Sequence, residues 1–344
     1  MQRHVGFAAI LLLGCAQASK VTAGAPAAIP VAVPDGAPGI GFDDLRFAPE
    51  LRRVVVPAGR TGNLVLIDPG TREVTAIPGF SHDPSYGGGH GAGTTSADEG
   101  GGLLYAIDRN TKELHVVDPA KGAIVASANL AAGPDYVRYV AARREVWVTE
   151  PNAGQIEIFS LPAGGAPSPT RVATVAVPNG PESLVVDVAR RRAYTHRWDD
   201  RTHAIDLASR AIVATWSNGC AGSRGIALDE TRGFLFVGCD EGKAVVLDVT
   251  QDGRKLASLS PGVEGVDVIA YNPSLRHLYL PGEGTRTMAI LGVSAAGELG
   301  TLAIVPTARG AHCVTEDDRG GAWVCSPEDG KLLYFADTLP ASPR

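Results

Sequence analysis

The strongest constraint on the fold is a sequence unit that recurs about every 42–46 residues. Each unit starts with glycine, continues as a short apolar segment, turns through charged residues and glycine, and returns as a second apolar segment. A third segment usually closes on aspartate. The clearest copies are GPDYVRYVAARREVWVTEPNAGQIEIFS (133–160), GPESLVVDVARRRAYTHRWDDRTHAID (180–206) and GSRGIALDETRGFLFVGCDEGKAVVLD (222–248). Short strands at a fixed spacing of this length are typical of a β-propeller.

The number of units predicts the number of blades. Seven can be counted, and most are followed by a polar turn and a weaker fourth apolar segment such as REVTAIP (72–78). The last unit ends after LLYFAD (332–337) without a fourth segment, whereas AIPVAVP (28–34) stands unmatched at the other end. Because open end blades would expose unpaired strand edges, we expect this N-terminal strand to complete the last blade. The units start near residues 41, 91, 133, 180, 222, 265 and 310.

Composition narrows the classes of protein that remain. Glycine (42) and proline (24) are too frequent for long helices to dominate the 344 residues. The formal net charge is −6, so the chain lacks the basic surplus that phosphate contacts require, and nucleic acid is an unfavourable partner. Short motifs of hydrolases, zinc proteases and nucleotide-binding proteins do not occur in the sequence.

The N-terminal segment predicts export. Residues 1–18 combine Arg3 with a short apolar run, which is too short to span a bilayer. Two cleavage patterns are open: LLGC, which resembles a bacterial lipobox and would make Cys15 a lipidated N-terminus, or ordinary cleavage after Ala18. We therefore expect a periplasmic protein or an outer-membrane lipoprotein that touches the membrane only through a lipid anchor. The predicted layout is a signal peptide (1–18), an Ala/Pro/Gly tether (19–27), one propeller domain (28–338) and a tail (339–344).

The other cysteines are four in number, and in an exported chain they favour disulfides over metal thiolates. Cys313 and Cys325 are equidistant from Arg319 at the centre of a predicted hairpin turn. In the fifth unit the register places Cys239 opposite a residue near 222, two positions from Cys220. We therefore predict the pairs Cys220–Cys239 and Cys313–Cys325.

One segment resembles a known family. The stretch VWVTEPNAGQIEIFS (146–160) is similar to the YVTN repeat, and residues 28–338 resemble exported YncE-type seven-bladed propellers. The layout is also similar to the propeller subunit of quinohaemoprotein amine dehydrogenase. These resemblances imply a fold, and YncE-type relatives imply a binding role, but the motifs that carry them are structural.

Candidate functional residues follow from propeller topology. The connections from fourth to first strand and from second to third strand share one face, at the mouth of the central channel. The third residue of each unit is expected to point into that mouth. Several of these positions are acidic, and with the histidines nearby they could hold Ca²⁺ or Zn²⁺, although no cofactor is certain. This candidate metal set is Asp43, His90, Asp135, Glu182, Asp267 and His312.

Two connections are unusual enough to suggest ligand or partner contacts. The loop 80–93 is long, rich in glycine, and carries His82 and Tyr86; it reads equally as a mobile flap. The turn 196–201 places a tryptophan among charged residues, either as a contact surface or tucked against the next blade. The candidate contact set is His82, Tyr86, His196, Arg197, Trp198, Asp199 and Arg224.

Two functions are consistent with these features. The first is a non-catalytic scaffold or binding protein of the cell envelope, monomeric, that holds a protein, peptide or small molecule on the mouth face. The alternative is a metal-dependent, lactonase-like hydrolase in which the carboxylate and histidine ring holds a cation that activates water. The sequence favours the first function.

Overall fold

The computed structural model describes residues 24–162 and 168–343. These residues form seven antiparallel four-stranded sheets arranged as blades around a central channel, which confirms the predicted seven-bladed β-propeller. The predicted signal segment 1–18, including Cys15, lies outside the described residues, as does most of the predicted tether. No helix within the described ranges is long and apolar enough to cross a membrane.

The strands follow one another in chain order within each blade. Blade 1 contains β2 (Arg46–Ala48), β3 (Arg53–Pro57), β4 (Thr61–Ile67) and β5 (Val74–His82). Blade 2 contains β6 (Thr94–Gly100), β7 (Leu103–Asp108), β8 (Glu113–Asp118) and β9 (Ala123–Asn129). Blade 3 contains β10 (Val137–Val140), β11 (Glu145–Glu150), β12 (Gln155–Ser160) and β13 (Thr170–Ala176). Blade 4 contains β14 (Glu182–Asp187), β15 (Arg192–His196), β16 (Arg201–Asp206) and β17 (Ile212–Ser217).

The remaining blades repeat the pattern, apart from the origin of one strand in the last. Blade 5 contains β18 (Ser223–Asp229), β19 (Phe234–Cys239), β20 (Lys243–Asp248) and β21 (Arg254–Leu259). Blade 6 contains β22 (Ala270–Asn272), β23 (His277–Gly282), β24 (Thr287–Val293) and β25 (Leu299–Pro306). Blade 7 contains β26 (Val314–Glu316), β27 (Gly321–Ser326), β28 (Lys331–Ala336) and the N-terminal β1 (Ala28–Ala32).

The first strand of every blade lies innermost. Each of these strands contacts the first strands of both neighbouring blades, so the ring is continuous around the channel. The apolar core is divided accordingly into seven clusters, one at each blade-to-blade interface. Stability therefore depends on the contacts between neighbouring blades, as expected for a repeat architecture.

The aspartates that end the third segments have a local structural role. Asp68 Oδ1 accepts hydrogen bonds from the backbone amides of Gly70 (2.8 Å) and Thr71 (3.0 Å), and Asp118 and Asp206 repeat this arrangement. An aspartate side chain that accepts from the next two or three amides stabilises a tight turn. The recurring aspartate is thus explained by the turn between the third and fourth strands.

The ring closes as the sequence predicts. β1 pairs antiparallel with β28, with Ile29 opposite Tyr334 and Val31 opposite Leu332. The segment that follows β1 is held by the buried guanidinium of Arg60. This group donates to the backbone carbonyls of residues 35–37, Gly39 (2.6 Å) and Asp83 (3.2 Å). One cation therefore joins the closing segment to blade 1 and to the loop 80–93.

Both predicted disulfides are present, as Cys220–Cys239 and Cys313–Cys325. Each joins the segment that enters a first strand to the end of the second strand of the same blade. Both therefore lie near the end of the channel where the first strands begin. Disulfides persist in oxidising compartments, so their presence is compatible with export.

Candidate functional site: the channel mouth

The mouth of the channel lies where the first strands begin, and we call this side the mouth face. Titratable side chains from all seven blades, and from the connection between blades 1 and 2, meet there. They come from the segments at the start of the first strands and from one connection between a second and a third strand. Most of these residues precede or begin a first strand, and the sequence analysis named all of them except Arg109 as candidates. We call the following residues the mouth cluster: Asp43, His90, Arg109, Asp135, Glu182, Arg224, Asp267 and His312.

Arg109 is the centre of the cluster and was missed by the sequence analysis. Its Nη2 donates to Asp43 Oδ2 (2.8 Å) and to Asp135 Oδ1, and its Nε donates to the Pro134 carbonyl (2.9 Å). Arg109 begins the connection between β7 and β8, which topology places on the mouth face. Arg109 could have been identified from the sequence as a basic residue in a connection that lies beside several carboxylates.

The loop 80–93 is attached to the mouth through His90. His90 Nδ1 lies 3.0 Å from Asp43 Oδ2, and Nε2 lies 3.8 Å from Asp267 Oδ2. The backbone carbonyl of His90 accepts from Arg109 Nη1 (2.5 Å). Tyr86 packs directly against Gly39, where a Cβ would lie only 2.3 Å from the tyrosine ring. This loop thus packs over one side of the channel mouth, while His82 remains on its periphery.

His312 is held by the backbone on both sides of its ring. Nδ1 lies 2.6 Å from the Gly310 carbonyl oxygen, and Nε2 lies 2.8 Å from the Phe42 carbonyl oxygen. The ring also lies 5.0 Å from the His90 ring, measured between centroids. Since carbonyl oxygens only accept hydrogen bonds, neither nitrogen can face a metal ion unless the ring turns.

Protonation in the cluster follows burial and neighbouring charge. Burial raises the pKa of Asp43, but the charges of His90 and Arg109 outweigh it and lower this pKa to about 2. The nearby Asp43 carboxylate raises the pKa of His90 to about 9. The mouth therefore contains a pair in which Asp43 is ionised and His90 is protonated at neutral pH.

The other carboxyls favour their protonated forms more strongly than usual. Burial raises the pKa of Asp135 to about 7, and the neighbouring Asp43 and Asp267 add to this against the effect of Arg109. Burial, with Asp135 and Asp267 close by, raises the pKa of Glu182 well above its ordinary value. The pKa of Asp267 is raised by burial and by Asp43. The cluster is thus short of positive charge.

The 196–201 turn meets the cluster at Glu182. Trp198 Nε1 donates to Glu182 Oε2, and Arg224 Nη1 lies 3.6 Å from Glu182 Oε1. The tryptophan still exposes 36% of its surface, and the glutamate that its indole binds belongs to its own blade and not to the next one. Arg197 and Asp199 form an ion pair of 2.8 Å beside it. His196 is fully buried beneath this surface and cannot contact a ligand there without rearrangement.

A metal fits only part of this arrangement. His90, Asp267 and His312 each offer a ligand atom within 4.8 Å of the others, the grouping closest to the predicted metal site. However, Asp43 and Asp135 already bind Arg109, and both His312 nitrogens face carbonyl oxygens. Within the grouping of His90, Asp267 and His312, only His90 Nε2 and the Asp267 carboxylate have no hydrogen bond in the described part of the chain, which is fewer than the three protein ligands of a catalytic zinc site.

Comparison with known proteins supports the fold alone. No family model matches the chain, and no curated protein is similar to it in sequence. Among solved structures, it is similar to hydrazine synthase of Kuenenia stuttgartiensis, with 12% identity, a TM-score of 0.71, and coverage of 88% of this chain and 96% of that chain.

Two further structures show the same likeness. A chain of a mitotic checkpoint complex has 12% identity and a TM-score of 0.72, covering 97% of this chain and 99% of that chain. The Cps50 (Swd1) β-propeller domain of Myceliophteria thermophila has 13% identity and a TM-score of 0.70, covering 87% and 98%. These matches place the chain among β-propellers, and its resemblance to the YncE-type family stays a prediction.

Proposed function

We propose that this chain is an exported binding or scaffold protein of the cell envelope that holds a partner on its mouth face. The observation that carries the proposal is the use of the mouth carboxylates. Their oxygens bind Arg109, Arg224, His90 and Trp198 instead of forming an open set of metal ligands. The network organises a rigid polar surface beside an exposed tryptophan, a combination typical of partner recognition.

Two other observations support the proposal. One of the similar structures is a chain of a mitotic checkpoint complex, so a propeller of this shape can assemble with other proteins. The disulfides suit the oxidising space outside the cytoplasm. On this proposal the protein is periplasmic or attached to the outer membrane through Cys15, and it acts as a monomer towards its partner.

Site-specific photo-crosslinking in living cells tests the proposal. A photoreactive residue at Arg201, beside Trp198, is expected to give a discrete protein adduct. The same probe at Val188, which is exposed in a turn on the opposite face, should not. Trp198→Ala in the Arg201 probe strain should remove the adduct without loss of folded protein. Adducts of equal yield from both positions, or none from Arg201, would exclude a partner on this face.

The hydrolase alternative is favoured by one observation, the approach of His90, Asp267 and His312. Elemental analysis of protein purified without chelator tests it. About one equivalent of Ca²⁺ or Zn²⁺ that is lost in Asp267→Ala, together with hydrolysis of lactones or esters, would support this second function. Protein that binds no added cation and hydrolyses none of these substrates would rule it out.

A further inference from the structure

The channel contains a cavity on the far side of the mouth cluster. A cavity of about 580 Å³ runs from the Asp44–Arg138 pair down to the turns that join first and second strands. We call it the lower cavity. Its volume falls in the range of small-molecule sites, about 300–1,000 Å³.

The closed end of the lower cavity is formed by a neutralised ion pair. Arg138 Nη1 and Nη2 donate to Asp44 Oδ2 (2.6 Å) and Oδ1 (3.0 Å), and both side chains are buried. Ser96 Oγ also donates to Asp44 Oδ2 (2.5 Å). Arg138 Nε is buried without a hydrogen-bond partner, but the bidentate carboxylate neutralises the charge of the guanidinium. The pair therefore offers little attraction to an anion from the cavity.

The wall of the lower cavity is divided into an apolar and a polar side. The first strands of blades 4 and 5 contribute Val186, Ile226 and Leu228, which are only partly covered by other residues. Blades 1 and 7 contribute Arg46 and Glu316 on the polar side. Partly covered aliphatic side chains facing a cavity favour an apolar ligand surface.

Asp317 and Glu230 form no ion pair among the described residues but accept hydrogen bonds from the Trp323 indole and the Ala189 amide. Glu316 is the third carboxylate of this cavity without a cationic partner. No lysine, arginine or histidine lies within ion-pair distance of its carboxylate in the described part of the chain, and the donors that act on it are the Thr315 hydroxyl and its own amide. Arg46, the nearest positive influence, contacts Asp98 instead (3.3 Å). Burial raises the pKa of Glu316, the expected sign of an uncompensated carboxylate.

The charges at the opening of the lower cavity also favour a positively charged ligand. Asp317, Asp318 and Glu230 line this end of the cavity, whereas its only basic residues are Arg46 and Arg138, which both already contact carboxylates. Asp318 is paired with Arg52 (3.0 Å), and Asp317 accepts from the Trp323 indole (2.8 Å). The electrostatic field of the opening therefore attracts positive charge and repels anions.

We propose that the lower cavity binds a small organic cation with an apolar body. The ammonium group would pair with Glu316, and the hydrocarbon would pack against Ile226, Leu228 and Val186. This inference is independent of the partner proposed for the mouth face, because the two sites are separated by the Asp44–Arg138 pair and can be tested separately.

Calorimetric titration of the intact, disulfide-bonded protein with n-octylamine tests the inference. Two probes of the same chain length, n-octanol and octanoate, vary only the head group. Saturable binding is expected for octylamine, weaker binding for octanol, and none for octanoate. Glu316→Gln, which keeps the shape of the side chain, should weaken octylamine binding by roughly tenfold and leave octanol binding unchanged.

Two further variants keep the result interpretable. Glu73→Gln removes an exposed carboxylate outside the cavity and should leave all three titrations unchanged. Leu228→Trp places a bulky indole where the hydrocarbon would pack and should weaken binding of both octylamine and octanol while the protein remains folded by circular dichroism. Octanoate binding as tight as that of octylamine, octylamine binding that survives Glu316→Gln, or no saturable binding of octylamine would each overturn the proposal.

Discussion

The two ends of the central channel use the same strands in opposite ways. At the mouth, acidic and basic side chains from several blades meet and form ion pairs around Arg109 and Arg224. Below the Asp44–Arg138 pair, the channel contains a cavity with an aliphatic wall and the unpaired carboxylate of Glu316. The mouth is organised by its ion pairs, whereas the lower cavity offers a volume that suits a small ligand.

The comparison shows that a small-molecule site needs both suitable side chains and empty volume, and that one does not imply the other. Charged residues that converge in a buried place must be neutralised, because an uncompensated buried charge is costly. At the mouth Arg109 provides this neutralisation from a neighbouring connection. In the lower cavity no comparable cation reaches Glu316, so a ligand could provide it.

The largest effect is expected where the two regions meet. Asp44→Ala leaves the Arg138 guanidinium buried without its carboxylate and should lower the free energy of unfolding by about 3–5 kcal/mol. Urea denaturation monitored by tryptophan fluorescence measures this. Asp318→Ala, which breaks the exposed pair with Arg52, is the matched control and should cost less than about 1 kcal/mol. An equal loss of unfolding free energy in both variants would show that the buried Asp44–Arg138 pair contributes no more to stability than an exposed ion pair.

A smaller effect is expected from the covalent links, which occur at the mouth end. Replacing Cys313 and Cys325 by alanine together should lower the free energy of unfolding by about 3 kcal/mol, since the bond closes a short loop. Hydrogen exchange should increase in residues 310–314 and remain unchanged in the turn 317–321 at the opposite end of the same hairpin. Uniform loosening of the hairpin would contradict a specific role at the mouth.

The smallest effect concerns the attachment of the loop 80–93. The pKa of His90 is raised from 6.5 to about 9 by Asp43, so its contribution to stability is complete below pH 6.5 and is lost as pH rises through 9. The melting temperature of His90→Gln should therefore lie below that of the wild type at pH 6.5. The difference between the two should shrink as the pH rises to 9.5. Arg109, Asp267 and His312 also face His90, and they remain in the variant.

His82→Gln is the control for that pH series, because His82 ends β5 at the start of the same connection and forms no ion pair with the mouth cluster in the described structure. Its melting temperature should follow the wild type in parallel at every pH. A His90→Gln curve that also runs parallel to the wild type would show that the ion pair with Asp43 does not contribute to stability. At the acid end, the contribution of Asp43 should be lost as pH falls through about 2.

Much of the architecture could be predicted from sequence because its signals are local. The repeat period, the turn aspartates and the unmatched segment at 28–34 gave the blades and the closure through β1. The cysteine register gave both disulfides, since opposite positions in a hairpin follow from its turn. The acidic candidates Asp43, Asp135, Glu182 and Asp267 could be named from sequence, because each lies within three residues of the start of a first strand.

The partners of those residues could not be predicted in the same way. Arg109 meets Asp43 from 66 positions along the chain, and Arg138 meets Asp44 from 94 positions. His196 was expected in an exposed turn but is the last residue of β15 and is fully buried. Such contacts depend on how far each blade is rotated about the channel, and no local pattern records that rotation.

The sequence by itself therefore determined the seven blades, their closure, the disulfides and the acidic character of the mouth. Each of these follows from hydrogen bonding and side-chain alternation within one strand pair or one turn. The tertiary structure decided which charges neutralise each other and where the channel stays hollow. Those outcomes depend on distances between blades, which are set by the packing of the whole ring.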